Sequence, residues 1–590
     1  MNPPTQMPVS TSAGLARGLS PLNWLLRYDR RNLSDDIIAG VVTSLLLVPQ
    51  GVAFALLAGL PPQAGLYASI AGPLVYGLFG TSRTLAVGPV SVAAVMVASA
   101  LGVSDLEGER LDNALVLSAE CGLIFFILSA LRLGWVISLL SHPVLSGFTT
   151  GAALLIMFSQ LPQLAGYQGP GTIHGWRSFQ EIIAGLAHMS AVTLALGLGA
   201  VVSLMLLGRP FARWLDERRL PKLANTLLAK SAPLMMIVAA SLTVALGGLG
   251  ERVALVGPFP GGLPLPAIGF LASPDWLRLL PSALVISLVG YVESIAIAKA
   301  LASRRRESIA PNQELFALGA ANASGAFFGA MPVAGGLSRT MVNYAAGART
   351  QLASIVTAGV VALALILFSH WFAAIPRTAL AALIIVAVAP LVNGREFLSL
   401  WRYDRGDAVV LALTAAVVLV LGIEEGILAG MALSMMLFIW RAGHPHIAEV
   451  GRVTGTQHYR NIHRHAVETW RGLRIFRVDE SLSFVNAGMV RDHLVDAVVR
   501  GDNVKHLVLL CTAINHVDSS ALEMLGNLAK DLRDAGATFH LAEVKGPVMD
   551  RLRAAGLVEH IAPGHIFFRI DDAVAQLGEP AGLLAPAEGA

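Results

Sequence analysis

Two charged residues stand where charge is expensive. Glu293 lies about 12 residues inside the apolar run 279–302, so a helix would carry it ~18 Å along its axis, near the middle of a bilayer. Ionisable residues at such depth mark ion pathways or proton relays. Glu293 is therefore a candidate proton carrier, its protonation set by the balance of burial against a neighbouring cation. Arg339 opens a Gly-rich segment, Ala334-Gly-Gly-Leu-Ser-Arg-Thr-Met-Val-Asn-Tyr-Ala-Ala-Gly. A guanidinium at a helix N-terminus and the free amides there attract the same anion. Its natural partner is either substrate or Glu293. The bland alternative is a permanent Glu293–Arg339 ion pair that holds helices together. The two readings are compatible, because an anion competes with Glu293 and protonating Glu293 frees the arginine. A third polar group, Gln50, sits in Val48-Pro-Gln-Gly-Val-Ala-Phe. Pro49 removes a backbone donor, Gly51 permits a bend, and an uncharged polar side chain in an apolar run needs a partner or a substrate. An interhelical hydrogen bond is the plain alternative for Gln50.

The elements that position these residues follow from composition. The chain has 590 residues, of which 55% are hydrophobic and only 14% charged, with a net charge of +3. The charges are uneven: 34 of them fall in residues 441–590 and 40 in the 404 residues from 37 to 440. This excludes a disordered chain and an ordinary soluble enzyme, and the small net charge gives no reason to expect nucleic acid as a partner. Apolar runs recur at 37–58, 64–80, 84–101, 112–131, 138–162, 180–207, 231–249, 279–302, 312–330, 337–347, 350–370, 374–392, 407–422 and 425–441. That predicts about 14 membrane segments. Basic residues follow the even-numbered exits, as with Arg132, Arg213, Arg304 to Arg306, Arg349, Arg402 and Arg441, which predicts a cytoplasmic N-terminus and C-terminal region.

The third and tenth segments look like half-helices, at 80–92 and 334–347. Gly- and Pro-interrupted segments at matching places in two halves point to a transporter site built from inverted repeats. Both carry Ser-Arg-Thr, a match short enough to arise by chance. Beyond residue 472 the pattern changes to alternating strands and helices, predicting a small α/β domain over 472–577. Residues 1–36 read as an N-terminal cytoplasmic segment, 37–441 as the transport domain, 442–471 as linker and the Gly/Pro/Ala-rich 578–590 as a disordered tail. In Asn515-His-Val-Asp-Ser-Ser-Ala, Asp518 or Ser519 is a good N-cap, and Ser520 is a regulatory candidate because phosphate is well received there. Glu120 and the scattered histidines receive structural readings. Two cysteines imply no disulfide framework, no metal spacing occurs, and no P-loop or nucleophile elbow supports an enzyme or an ATP-driven pump. No cofactor is implied.

Several motifs in order resemble the SulP/SLC26 sulfate-permease family: Val48-Pro-Gln-Gly-Val-Ala-Phe-Ala-Leu-Leu-Ala-Gly-Leu-Pro-Pro, Gly65-Leu-Tyr-Ala-Ser, Gly80-Thr-Ser-Arg, Val87-Gly-Pro, Pro311-Asn-Gln-Glu-Leu and Gly336-Leu-Ser-Arg-Thr. The soluble part resembles its STAS domain. The resemblance implies an α-helical polytopic membrane protein of 14 segments in two inverted repeats of seven, split into core and gate domains. It implies an elevator-like motion, a homodimer and an inner-membrane location. Substrate would bind between the third and tenth half-helices, lined by Gln50 and Phe54 of the first helix, Val87, Gly88 and Val90 of the third, and Leu337, Ser338 and Arg339 of the tenth. Glu293 resembles the carboxylate of proton-coupled members. Ile297, one turn on, offers no oxygen ligand for sodium. Val90 replaces an aromatic common in exchangers and suits a larger oxyanion. Ser520 matches a phosphoserine of anti-sigma antagonists, although Ala521 stands where those often have Gly. The expected activity is proton-coupled sulfate symport. Rival readings are a bicarbonate or dicarboxylate transporter, an uncoupled chloride/bicarbonate exchanger and, from another class, a membrane-anchored signalling protein.

Overall fold

The computed structural model describes residues 23–26, 28–102, 107–135, 141–169, 175–208, 210–211, 228, 231–257, 262–501 and 503–584. The basic residues expected after the sixth segment, Arg209 to Lys222 and Lys230, lie outside them. The chain divides into two compact units, Met1–Ser434 and Met435–Ala590.

In the first unit every one of the fourteen expected apolar segments overlaps a helix. Length separates them. Among the described residues seven helices are long and apolar enough to cross a bilayer alone: Arg30–Leu57, Gly108–Ala130, His142–Ala165, Trp276–Arg305, Leu352–Ala373, Arg377–Tyr403 and Ile423–Gly443. An eighth candidate is a pair bent by 115°, Phe179–His188 with Ala191–Leu207. Ser91–Leu101 and Leu337–Ala345 are much shorter, as half-helices must be.

Small residues set the closest helix approach. Leu33–Leu57 and Pro62–Phe79 meet at Gly51 and Gly65, where a Cβ added to Gly65 would stand 1.9 Å from the Gly51 carbonyl oxygen. Without a solvent-driven hydrophobic force between membrane helices, such backbone contact is what dispersion can use. Pro49 lies inside the first of these helices, and the break expected at Val48-Pro-Gln-Gly does not occur: the helix runs on through Pro49 and Gly51 to Leu57.

Each half-helix is preceded by a two-residue strand, and the two strands pair. β1 (Val87–Gly88) runs antiparallel to β2 (Ala334–Gly335), with Val87 opposite Gly335 and Gly88 opposite Ala334. The backbone leaves helix geometry there, in a layer where no bulk water satisfies amides, so the ladder between two extended pieces takes over that task.

The second unit is an α/β sheet in the order β10-β5-β3-β6-β7-β8-β9. Its strands are β3 (Ile447–Arg452), β4 (Tyr459–Asn461), β5 (Val467–Arg471), β6 (Leu473–Val478), β7 (His506–Leu510), β8 (Thr538–Ala542), β9 (Ile566–Phe567) and β10 (Glu579–Leu584). β6 to β9 are parallel, and β4 pairs with β3 as a side branch. Helices Ala487–Val499 and Ser519–Asp534 bury one face, and Ile570–Leu577 packs on the other.

Two boundaries differ from expectation. Residues 447–471, read as linker, supply β3, β4 and β5. Their charges, such as Arg452 paired with Glu468 at 2.7 Å, lie across neighbouring strands and hide the alternation. The first part of the tail, Glu579–Leu584, is an edge strand on β5 rather than disordered chain. It is wholly exposed, its Pro and Gly content reads as coil, and its pairing shifts register between Pro580 and Gly582. Such a strand is held by backbone pairing, which composition does not report.

Candidate functional site

The paired strands bring the two half-helices together head to head. The first turns, at Ser91 and Leu337, have no side-chain cap: Val90 and Gly336 occupy the N-cap positions. Their leading amides are the unsatisfied donors of any helix start and carry the positive end of the dipole.

A polar network fixes this arrangement. The Ala86 amide donates to Thr340 Oγ1 at 3.0 Å, and Thr340 Oγ1 donates to the Gly336 carbonyl at 2.7 Å. Asn343 Nδ2 donates to the Thr84 carbonyl at 2.9 Å, and the Gly335 amide donates to Ser294 Oγ at 2.7 Å. Asn322 brackets Val333, accepting from its amide at 2.8 Å and donating to its carbonyl at 3.0 Å. Ser294 follows Glu293 on the long helix Trp276–Arg305, so the candidate proton carrier sits beside the residue that holds β2.

Arg339 is 2% exposed, in the first turn of Leu337–Ala345. Its Nη1 donates to the Pro89 carbonyl at 2.7 Å and to Gln50 Oε1 at 3.2 Å. Its Nε and Nη2 are buried and have no acceptor among the described residues. Glycine makes room for it: a Cβ at Gly336 would stand 2.8 Å from Nη2, and one at Gly88 would stand 3.5 Å from it. A buried guanidinium with donors to spare needs an acceptor, and a planar fork of N–H groups suits an oxyanion.

The structure brings Gln50 and Gly88 to Arg339, with Val87 and Val90 on the strand and N-cap beside Gly88; Phe54 is buried one turn from Gln50. Gln50 and Phe54 come from the long helix Leu33–Leu57. Leu337 and Ser338 share the half-helix start but are exposed, Leu337 at 46%, so they do not face inward with the guanidinium. Glu293 is half-buried. The permanent Glu293–Arg339 ion pair offered as an alternative is not formed: the two charges interact at a distance, and no ion pair within 4 Å joins them among the described residues. The arginine is seated instead by a neutral amide and a carbonyl.

Ser520 lies in the second unit, exposed in the first turn of Ser519–Asp534. Asp518 is the N-cap, its carboxylate accepting from the Ala521 amide at 2.8 Å. Arg491 and Lys530 line a shallow cavity with Ser520.

Sequence reasoning passed over two buried carboxylates. Glu314 (1% exposed) accepts from Tyr76 Oη at 2.7 Å and from the Thr81 and Ser82 amides at 2.7 and 3.1 Å. It ties down the loop that enters β1. Asp36 (fully buried) accepts from the Arg349 and Thr350 amides at 2.7 and 2.9 Å, from Thr350 Oγ1 and from Tyr28 Oη. It ties down the turn that leaves the tenth segment. Each sits near the end of an apolar run, where a charge reads as loop. The signal available was Glu314's place in Pro311-Asn-Gln-Glu-Leu.

The profile of the Sulfate permease family matches residues 33–414, and that of the STAS domain matches residues 465–573. "Sulfate transporter 4.1, chloroplastic" of Arabidopsis thaliana is 35% identical over 91% of this chain and 79% of its own length. A probable sulfate transporter of Mycobacterium tuberculosis is 34% identical over 96% and 99%. Among solved structures, the murine Solute Carrier 26 family member A9 anion transporter in an inward-facing state superposes with a TM-score of 0.86 at 25% identity, covering 97% of this chain and 96% of that one. The transmembrane domain of a cyanobacterial bicarbonate transporter shares the fold over 69% of this chain, with a TM-score of 0.57 at 21% identity. Helices broken in pairs around a buried guanidinium therefore belong here to a multi-pass anion transporter rather than an enzyme, and the chain is a member of the sulfate permease family with a STAS domain.

Proposed function

We propose that this chain is a secondary active transporter of a small oxyanion, sulfate first, moved in symport with a proton. One observation carries the reading: Arg339 lies between two uncapped helix starts with Nε and Nη2 unmatched. An oxyanion accepts from both nitrogens and from the leading amides at once. The relatives named as sulfate transporters support sulfate over other oxyanions. Gln50, Phe54, Val87, Gly88 and Val90 line the site, with Leu337 and Ser338 at its outer lip.

Glu293 carries the proton. It is half-buried, feels the Arg339 charge and has no ion-pair partner within 4 Å among the described residues, so its protonation is free to follow the occupancy of the site. In the ionised state it competes with the anion for the arginine field, and when protonated it does not. The order is proton, anion, then a shared crossing. Fourteen segments in two inverted repeats of seven form a core, which carries both half-helices, and a gate past which the core moves. The protein works as a homodimer in the inner membrane, with its N-terminus and STAS domain in the cytoplasm, and Ser520 is the regulatory site.

The test is radiolabelled sulfate uptake into proteoliposomes with an imposed inward proton gradient, against sulfate, bicarbonate, chloride and fumarate as competitors. The expected result is uptake that rises with the gradient and is suppressed by unlabelled sulfate. Sulfate uptake indifferent to the gradient refutes coupling, and failure of sulfate to compete refutes the substrate. Competition by bicarbonate or fumarate alone would install the rival reading.

A further inference from the structure

We propose that a second site binds the phosphate group of an anionic phospholipid, in a cavity of about 650 Å³ at the ends of the broken segments. Three guanidiniums line it, each from a different part of the transport machinery. Arg83 belongs to the loop that leads into β1. Arg305 ends the helix that carries Glu293, and Arg349 belongs to the turn that leaves the tenth segment. The volume is within the ~300–1,000 Å³ of ordinary ligand pockets.

Arg305 is the best-placed of the three. Its Nη1 donates to the Ala348 carbonyl at 2.6 Å and its guanidinium lies 4.5 Å over the Tyr344 ring. This fixes its plane and leaves its remaining N–H groups for a ligand. It has no carboxylate partner among the described residues. The other two arginines do have one: Arg83 pairs with Glu307 at 3.4 Å and Arg349 with Asp35 at 3.3 Å. Both pairs are long and both arginine side chains are more than half exposed, so they contribute little and yield readily to a phosphate. Two carboxylates, Asp29 and Glu307, also line the cavity against the three arginines; Glu307 is paired with Arg83, and Asp29 accepts from the Arg31 amide at 3.0 Å. Asp36 reaches the lining residue Tyr28 and is saturated by its own donors.

Trp24 supplies the second, independent observation. Its ring lines the same cavity, and its indole Nε1 is buried with no acceptor among the described residues. A buried N–H without a partner calls for one, and phosphate oxygen is a strong acceptor. Exposed apolar residues in the same stretch of chain, though none of them lines the cavity, point to the source of the phosphate. Leu25, Leu33 and Ile37 on the same stretch are each 42–43% exposed. Tryptophan and exposed aliphatics beside arginines are the composition of a membrane interface, and basic pockets between helices on that side bind lipid headgroups. A free phosphate needs no such apolar stretch. The assignment of the lipid to the cytoplasmic leaflet rests on the orientation proposed above. A bound headgroup would brace the third segment, the Glu293 helix and the tenth segment together.

Native mass spectrometry of the full-length protein tests this without any transport measurement, so it stands apart from the sulfate assignment. The protein is offered phosphatidylglycerol, phosphatidylcholine or inorganic phosphate. Phosphatidylglycerol should be retained at one per protomer in preference to phosphatidylcholine. Loss of one charge-assisted contact corresponds to about tenfold in affinity, so Arg83→Gln and Trp24→Phe should each weaken retention by that order. Arg402→Gln, at an arginine outside the cavity, should leave retention unchanged. Trp24→Phe keeps the ring, and a wild-type size-exclusion profile guards against misfolding. Equal retention of the two lipids overturns the proposal, as does retention that ignores both cavity variants. Inorganic phosphate held without lipid preference overturns the lipid as the source.

Discussion

Two sets of buried charge in the membrane unit behave in opposite ways. At the ends of the broken segments, Glu314 and Asp36 have their acceptor capacity spent on backbone amides, hydroxyls and tyrosines. In the middle, Arg339 spends one nitrogen of three and Glu293 none within ion-pair reach among the described residues. Carboxylates saturated by fixed donors hold one charge state and one geometry. Groups with capacity left over respond to what arrives. Burial of charge alone therefore does not separate an anchor from a candidate site in this molecule; the hydrogen-bonding capacity left on Arg339 is what sets it apart from Glu314 and Asp36.

The largest effect separating the two sets is expected at Arg339. Arg339→Gln should lower sulfate uptake by about 100-fold, equivalent to about 2.7 kcal/mol of lost anion stabilisation. The fold should tolerate it, because a buried charge short of partners is removed. A melting temperature at or above wild type in detergent checks this; a collapse of the fold would place Arg339 with the anchors and break the contrast.

Glu314→Ala should do the reverse. Tyr76 Oη and the Thr81 and Ser82 amides would lose their acceptor, a loss of about 2–4 kcal/mol in stability. The folded fraction should keep its sulfate KM within about twofold, because the anchor touches the loop and not the anion. Uptake kinetics normalised to folded protein measure this. Glu314→Gln, which keeps one acceptor, should restore part of the stability. A KM raised in step with the stability loss would give Glu314 a share of the site.

Glu293→Gln is the middle case. It mimics the protonated carboxyl, so uptake without a gradient should persist while its stimulation by an inward proton gradient, expected at about tenfold in wild type, disappears. Stability should change by less than about 1 kcal/mol, since no partner among the described residues is stranded. Retained gradient dependence would move the proton to another group.

These contrasts mark what the sequence made legible. Glu293 and Arg339 announced themselves because each is a charge inside an apolar run, and the Gly- and Pro-breaks located both half-helices. What stayed hidden was pairing across long separations. The β1–β2 ladder joins residues about 250 positions apart through two-residue strands, too short for any alternation. The partner of Arg339 was expected to be Glu293 or substrate. Gln50 and the Pro89 carbonyl hold it instead, and both are neutral acceptors. In the soluble unit, β6 was readable from the alternation in Leu473-Arg-Ile-Phe-Arg-Val and β7 from a buried aliphatic run, with β8 as the next strand after a helix. Strands β3 to β5 and the edge strand β10 were not: charges paired across strands hide the alternation of the former, and β10 is wholly exposed and held by backbone pairing.

The smallest effect carries the comparison into the soluble unit, where His540 is a neutral counterpart of the saturated anchors. It is 1% exposed on β8. Its Nδ1 accepts from the His565 amide at 3.0 Å, so its proton sits on Nε2, 3.2 Å from Nδ1 of His506. Burial, then the charges of His506 and His565, push it down from 6.5 to about 4. The unfolded chain thus binds this proton first as pH falls. The stabilising contribution is whole above pH 6.5 and is lost between there and about 4, amounting to about 1 kcal/mol by pH 5.5 after allowance for solvent screening. Protonation also removes the acceptor for the His565 amide, the residue that precedes β9. Hydrogen exchange on the full-length protein, corrected for the intrinsic pH dependence, should show protection at residues 565–567 falling between pH 7 and 5.5, while β7 stays protected. His540→Asn, which keeps an amide oxygen near the Nδ1 position, should flatten that dependence. Equal loss at β7 would mean the whole sheet opens together, and His540 would then be one of many groups titrating on unfolding.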